Sequence, residues 1–299
     1  MVPTLYVWPG EWGLPSMDPS CLAAILYLQL ALPGKFTVSH CMNPDLSPTG
    51  QLPFLRDGAT EVSTLPAILD YVSTERDLNA LAGLSPTERA QLVAWSAHAQ
   101  LNLGDLVSHV FFSVNQNWNK LTHPALAKRL PIPQRYYMPG RIRELHRPRL
   151  TTTGLWNPGA DASERKPLKE VVKPRPSQSA SYARAFEREK ALEKARSSLD
   201  VYARRLENHK LFFSSLTTLD FIVAAHVLLL VDPPFPENIL RDLLNNSYPT
   251  LVAHARHVLS LATPLSVPVD EAQSFSIGSL LPTLLLAPVT ARLFSVNVC

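Results

Sequence analysis

A proline at the head of a strand constrains this chain more than its composition does. In Gly50-Gln51-Leu52-Pro53-Phe54-Leu55 a short apolar run forms around Pro53. Proline has no N–H to give to a ladder, so it is tolerated where a strand begins and not inside one. The run from Leu52 to Leu55 therefore predicts a strand, and its neighbours fit around it. Thr4 to Trp8 is a β-branched and aromatic run closed by Pro9-Gly10, and Phe36 to His40 is a second such run. Asp57-Gly58 is a turn signal into a brief strand near Glu61-Val62. Between the first two strands, Asp18-Pro19 supplies an N-cap and a first-turn proline for a largely apolar helix that ends at Pro33-Gly34. Leu65 to Val72 closes the series with another helix.

The order strand, helix, strand, strand, strand, helix over residues 1–82 is that of a thioredoxin-like α/β unit. In that fold the proline is usually cis, and the sequence leaves the isomer of Leu52-Pro53 open. From Ser85-Pro86-Thr87-Glu88, a capping box, residues 83–262 read as helical. Leu92, Trp95, Ala99, Leu103, Leu106 and Val110 recur every three or four positions. Further helices are expected near Ser181 to Phe213, Leu219 to Val231, Pro236 to Asn245 and Pro249 to Leu261. The first of these is charged, with an apolar stripe for packing. The second is apolar almost all round, capped by Thr217 and Asp220, and reads as the centre of an all-α domain.

The formal net charge of +3 hides an uneven distribution. Lys128, Arg129, Arg135, Arg141, Arg143, Arg147 and Arg149 fall in one stretch that contains Glu144 as its only acid. Prolines break the helical pattern there, so about 131–179 is expected to be a basic, Pro-rich insertion without regular structure. Arg141, Arg143, Arg147 and Arg149 are candidates for contact with a partner or an anionic lipid surface. The stretch lacks the aromatic and glycine motifs of RNA readers, so no nucleic-acid partner is expected. Residues 263–299 form an apolar tail; within it Ala272 to Ala291 is uncharged but interrupted by Pro282 and Pro288, a poor membrane span.

Cys21, Cys41 and Cys299 are widely spaced and form no CxxC pair, which argues for a reducing compartment and against a structural zinc site. No secretory or Arg-rich presequence is read at the N-terminus, so a cytosol-facing protein is expected. Each chemical constellation also has a plainer reading. His254 and His257, three apart, are expected on a solvated helix face without a third ligand. His226 is expected as a hydrogen-bonded core histidine, and Cys21 as a buried thiol.

Leu5-Tyr6-Val7-Trp8-Pro9, Trp12-Gly13-Leu14-Pro15-Ser16, Asp18 to Leu22 and Asn43 to Pro53 together resemble the metaxin family. The likeness extends to the fungal metaxin-like peripheral subunit of the mitochondrial sorting and assembly machinery. Thr217 to Asp220 and Tyr248 to His254 are similar to the helical half of glutathione-transferase-like folds generally. Trp8, Pro53, Thr217 and Asp220 are the residues expected to define the fold. Active glutathione transferases resembling this frame carry an acid-serine pair at the helix after the fourth strand, where the hydroxyl holds a carboxylate of glutathione. The aligned residues here are Thr64 and Leu65, and Ser16 is the candidate for the thiol-activating position near the first helix.

The resemblance thus implies a non-enzymatic subunit on the cytosolic face of the outer membrane, without catalytic residues, cofactor or metal. Its implied partners are a β-barrel channel subunit and a second metaxin-like peripheral subunit, and its task is barrel assembly or precursor release. The alternatives are a glutathione-dependent transferase with unusual site residues, or an interaction domain of the translation-factor kind.

Overall fold

The computed structural model describes residues 2–156, 178–207, 209–263 and 269–270. Its first part runs β1 (Thr4–Val7), α1 (Pro19–Ala31), β2 (Thr37–His40), β3 (Phe54–Asp57), β4 (Thr60–Ser63) and α2 (Leu65–Ser73). β1 pairs in parallel with β2 and antiparallel with β3, and β3 pairs antiparallel with β4. This is the thioredoxin-like order, continued by an all-α part in the manner of glutathione transferases. Leu52-Pro53 is cis, and Pro53 lies just before β3 so that its missing N–H costs the ladder nothing.

α3 (Leu78–Leu81) leads to α4 (Pro86–Ser108), whose Ser85 and Glu88 form the expected capping box. Two π-helical stretches, His109–Ser113 and Trp118–Thr122, flank α5 (Asn115–Asn117) and run into α6 (His123–Arg129). Then come α7 (Met138–Thr152), α8 (Gln178–Leu206), α9 (Thr218–Val231), α10 (Ile239–Ser247) and α11 (Pro249–Leu261).

Every residue of α9 is buried, and the helix packs against α1, α4 and α11. α1 is nearly as deeply covered, because it lies between the sheet and α9. Two apolar helices back to back therefore join the halves; Tyr27 and Phe221 meet edge to face at 5.6 Å across that seam. Of the stripe on α8, Ala195, Leu199, Tyr202 and Leu206 are buried against the same core, while Leu192 is half-buried against it and its neighbour Ala191 is buried.

Two regions depart from the sequence reading. The stretch expected to be irregular contains α7, which starts with Pro139 in its first turn, a position where a missing N–H is harmless, and carries Pro148 inside it. Ile142, Arg143 and Leu150 on its inner face are buried, and that burial holds a helix local propensity does not favour. The tail contributes β5 (Val269–Asp270), which adds in parallel to the outer side of β2, giving the sheet order β4-β3-β1-β2-β5. The uncharged segment 272–291 lies outside the described residues.

Candidate functional site

The frame built around Pro53 brings three groups to the edge of the sheet. The carbonyl of Pro53 accepts from the Thr64 N–H at 3.2 Å, and Thr64 sits at φ 77°, a left-handed conformation uncommon for a β-branched residue. Leu65 then opens α2 with its side chain 3% exposed, packed into the core with Ile68 and Val72. A serine there would aim a hydroxyl at an incoming carboxylate; leucine aims a hydrocarbon inward. Each charge-assisted contact so forgone is worth about 1.5–3 kcal/mol.

Ser16 is fully buried and accepts from the Asp18 N–H at 3.3 Å, while Asp18 accepts from the Cys21 N–H at 2.8 Å as the N-cap of α1. Burial pushes the Asp18 carboxyl up against the opposing effect of these N–H contacts. Burial, reinforced by Asp18, pushes the Cys21 thiol well above its ordinary value, so neither group offers a poised nucleophile. Trp8 packs half-buried at the end of β1 between the main core and the smaller cluster of Met42, Trp118 and Leu126.

The four arginines proposed for an outside surface have different fates. Arg143 is 2% exposed; its Nε donates to the Phe112 carbonyl at 2.7 Å, another guanidinium nitrogen donates to Asn115 Oδ1 at 2.7 Å, and its charge lies over the rings of Trp118 and Trp156 at 5.0 and 5.4 Å. This buried cation is stabilised by aromatic faces and polar oxygens. It cannot reach a partner, which corrects the sequence assignment. Arg147 bonds Glu144 at 3.3 Å and lies over Trp156. Arg149 pairs with both oxygens of Asp105, a carboxylate only 4% exposed. Arg129 reaches across to Glu11 at 3.1 Å. Arg141 stays exposed, near the exposed rings of Tyr136 and Tyr137 in sequence. Helix formation turns Arg143 alone fully inward; Lys128, Arg129, Arg141 and Arg149 stay exposed, although Arg129, Arg147 and Arg149 each meet an acid.

At the start of α9 the fully buried Asp220 is a hub. Its carboxylate accepts from the Thr217 N–H and hydroxyl, both at 2.8 Å, from the Phe212 N–H at 3.1 Å, and is 3.0 Å from His254 Nε2. His254 is thus buried rather than on a solvated face, contrary to the sequence reading, while His257 is half-buried. Their three-residue spacing does not bring them to one ligand: among the described residues no group of three His, Cys, Asp or Glu is placed to hold a metal ion. His226 Nδ1 bonds the Ile222 carbonyl at 2.6 Å, as a core histidine on a helix does. Asp105, Trp118 and Trp156 escaped the sequence reading; the available signal was one tryptophan on either side of the basic run.

A family model described as an outer mitochondrial membrane transport complex protein, Tom37, matches residues 21–143. Metaxin-1 of Mus musculus is 28% identical over 262 residues, covering 87% of this chain and 75% of the relative. Metaxin-3 of Xenopus laevis is 32% identical over 140 residues, 46% of this chain and 44% of the relative. Among solved structures, a glutathione S-transferase of Ceriporiopsis subvermispora in complex with glutathione superposes with a TM-score of 0.55 at 16% identity, covering 90% of this chain and all of that one. At that identity the likeness speaks for the fold alone.

Proposed function

Because this chain belongs to the metaxin family, we propose that it is a non-enzymatic subunit of the outer-mitochondrial-membrane machinery that inserts and folds β-barrel proteins. It acts peripherally on the cytosolic face, bound to a barrel channel subunit and a second metaxin-like subunit, in barrel assembly or precursor release. The observation that carries the reading is Leu65: a glutathione-transferase fold retains the cis Pro53 bend while the residue that would face the thiol's carboxylate is buried in the core. The fold then supplies surfaces rather than chemistry. Among the described residues no helix is long and apolar enough to cross a membrane, in keeping with peripheral attachment. In this reading the thioredoxin-like domain ends near residue 82 and the helical domain near 262, and Arg141 and Arg149 are the exposed members of the four candidate arginines that face a partner or lipid headgroup.

Crosslinking in intact mitochondria tests this directly. A barrel-forming membrane protein among the captured neighbours is the expected result, and its absence from a monodisperse, correctly targeted protein refutes the proposal. Calorimetry with glutathione addresses the chemistry separately: binding in the micromolar range would overturn the reading of Thr64 and Leu65.

A further inference from the structure

A cavity of about 240 Å³ lies where the β1–α1 connection meets α4, α6, α7 and α9. Its apolar wall is made by Trp8, Met17, Phe111, Phe112, Leu126 and Ile142. An apolar cavity of about 150 Å³ holds benzene, so this one has room for a bicyclic body.

Three polar side chains on the wall point to an occupant. Thr122 is 2% exposed, and its buried hydroxyl has no hydrogen-bond partner among the described residues. Leaving a buried hydroxyl unpaired costs about 1–3 kcal/mol. His226 is 1% exposed, and with Nδ1–H committed to the Ile222 carbonyl its Nε2 is left as an acceptor. Burial holds this histidine neutral down to about pH 4. His146 is also neutral down to about pH 4 and stacks on Phe112 at 4.0 Å.

Gly104 adds an independent observation. It sits in the interior of α4, where glycine costs about 1 kcal/mol relative to alanine. No positive φ requires it, and a Cβ there would meet only His226 Nε2, at an ordinary 3.7 Å. Neither backbone nor packing therefore excludes alanine. What the missing methyl does is leave Nε2 open beside the cavity. The charged groups on the wall, Asp18, Asp105 and Arg149, carry no surplus positive charge, which disfavours an anion.

We propose that this cavity is a binding site for a small, uncharged, mainly apolar molecule bearing a hydroxyl, its body against Trp8 and Phe112 and its O–H donated to His226 Nε2. Thr122 supplies a second polar point on the wall. The site is independent of whether the protein serves a membrane complex.

Isothermal calorimetry on the full chain with 2-naphthol as probe tests it. Binding is expected in the tens of micromolar, at least tenfold tighter than naphthalene, with no binding of 2-naphthoate. Gly104→Ala is expected to weaken 2-naphthol at least tenfold while leaving the unfolding temperature unchanged or higher. Nuclear Overhauser contacts from the bound probe to the Trp8 ring and the Ile142 methyls of the unmutated chain provide a readout that needs no variant. The proposal is overturned if 2-naphthol does not bind up to millimolar concentration, if naphthalene or the carboxylate binds as well, if folded Gly104→Ala binds like wild type, or if those contacts are missing.

Discussion

Replacing Asp220 by alanine would remove one side chain and strand four donors. The Thr217 N–H and hydroxyl, the Phe212 N–H and His254 Nε2 all converge on this carboxylate, which is fully buried, so water cannot substitute without rearrangement. Each stranded buried group costs about 1–3 kcal/mol, but the four share one site and do not add fully, which gives a loss of about 4–6 kcal/mol. That is a large part of a typical stability of about 5–15 kcal/mol. At roughly 2–4 °C per kcal/mol for a chain of this class, the unfolding temperature should fall by about 10–20 °C. Asp220→Asn keeps one acceptor oxygen for two of the four donors and should recover about half of the loss. Urea unfolding at pH 7, followed by far-UV circular dichroism, measures both variants, and a double-mutant cycle with His254→Leu isolates that pair. A loss below about 1.5 kcal/mol for Asp220→Ala, near the value of a single ordinary bond, would refute the view of Asp220 as a hub.

Acid should destabilise the fold through its buried histidines. His226 and His146 hold folded pKa values of about 4, below the unfolded value near 6.5, because burial disfavours the charged ring, and His109 is lowered for the same reason. For His226 and His146 the unfolded chain then binds more protons between about pH 4 and 6.5, so stability is complete above that window and is lost as pH falls through it, by up to about 3 kcal/mol for each of these two; a flat unfolding midpoint from pH 7 to 5 would contradict this. Arg143→Ala should cost about 3 kcal/mol by removing a buried cation from its carbonyl and ring partners, whereas Arg141→Ala should stay within about 0.5 kcal/mol; equal effects in urea melts would undo the assignment of inside and outside. Arg149→Ala should cost about 1–2 kcal/mol by leaving Asp105 unpaired, and adding Asp105→Leu should restore part of it, a recovery that thermal melts would detect.

The first 80 or so residues were legible because their signals are local: Pro53 at a strand head, Asp18-Pro19 at a helix start and Asp57-Gly58 at a turn each act within a few positions. The same is true of the capping boxes at Ser85 and Thr217. α7 was not legible, since Pro139 and Pro148 argue against a helix locally, and what stabilises it is Arg143 reaching Trp118 and residues 112 and 115 some thirty positions away. His254 was misplaced for a like reason: its partner Asp220 lies 34 residues upstream, beyond any helical periodicity. Two residues of β5 carry no pattern at all. Within the site, the loss of a hydroxyl at Leu65 could be read from the residue type, but the fate of each arginine depended on tertiary neighbours.

β5 makes the chain return, after the described helices, to the sheet on which it began. Such a sheet has flanks where unsatisfied backbone groups invite another polypeptide to stack on. By laying Val269–Asp270 along β2, the protein occupies one flank with its own late residues and leaves β4, whose Glu61 is tied to Arg56, as the other. Ending the chain after α11 would uncover the β2 flank, so a shortened protein could gain self-association that the longer one suppresses, a consequence to weigh whenever the last residues are cut away for convenience.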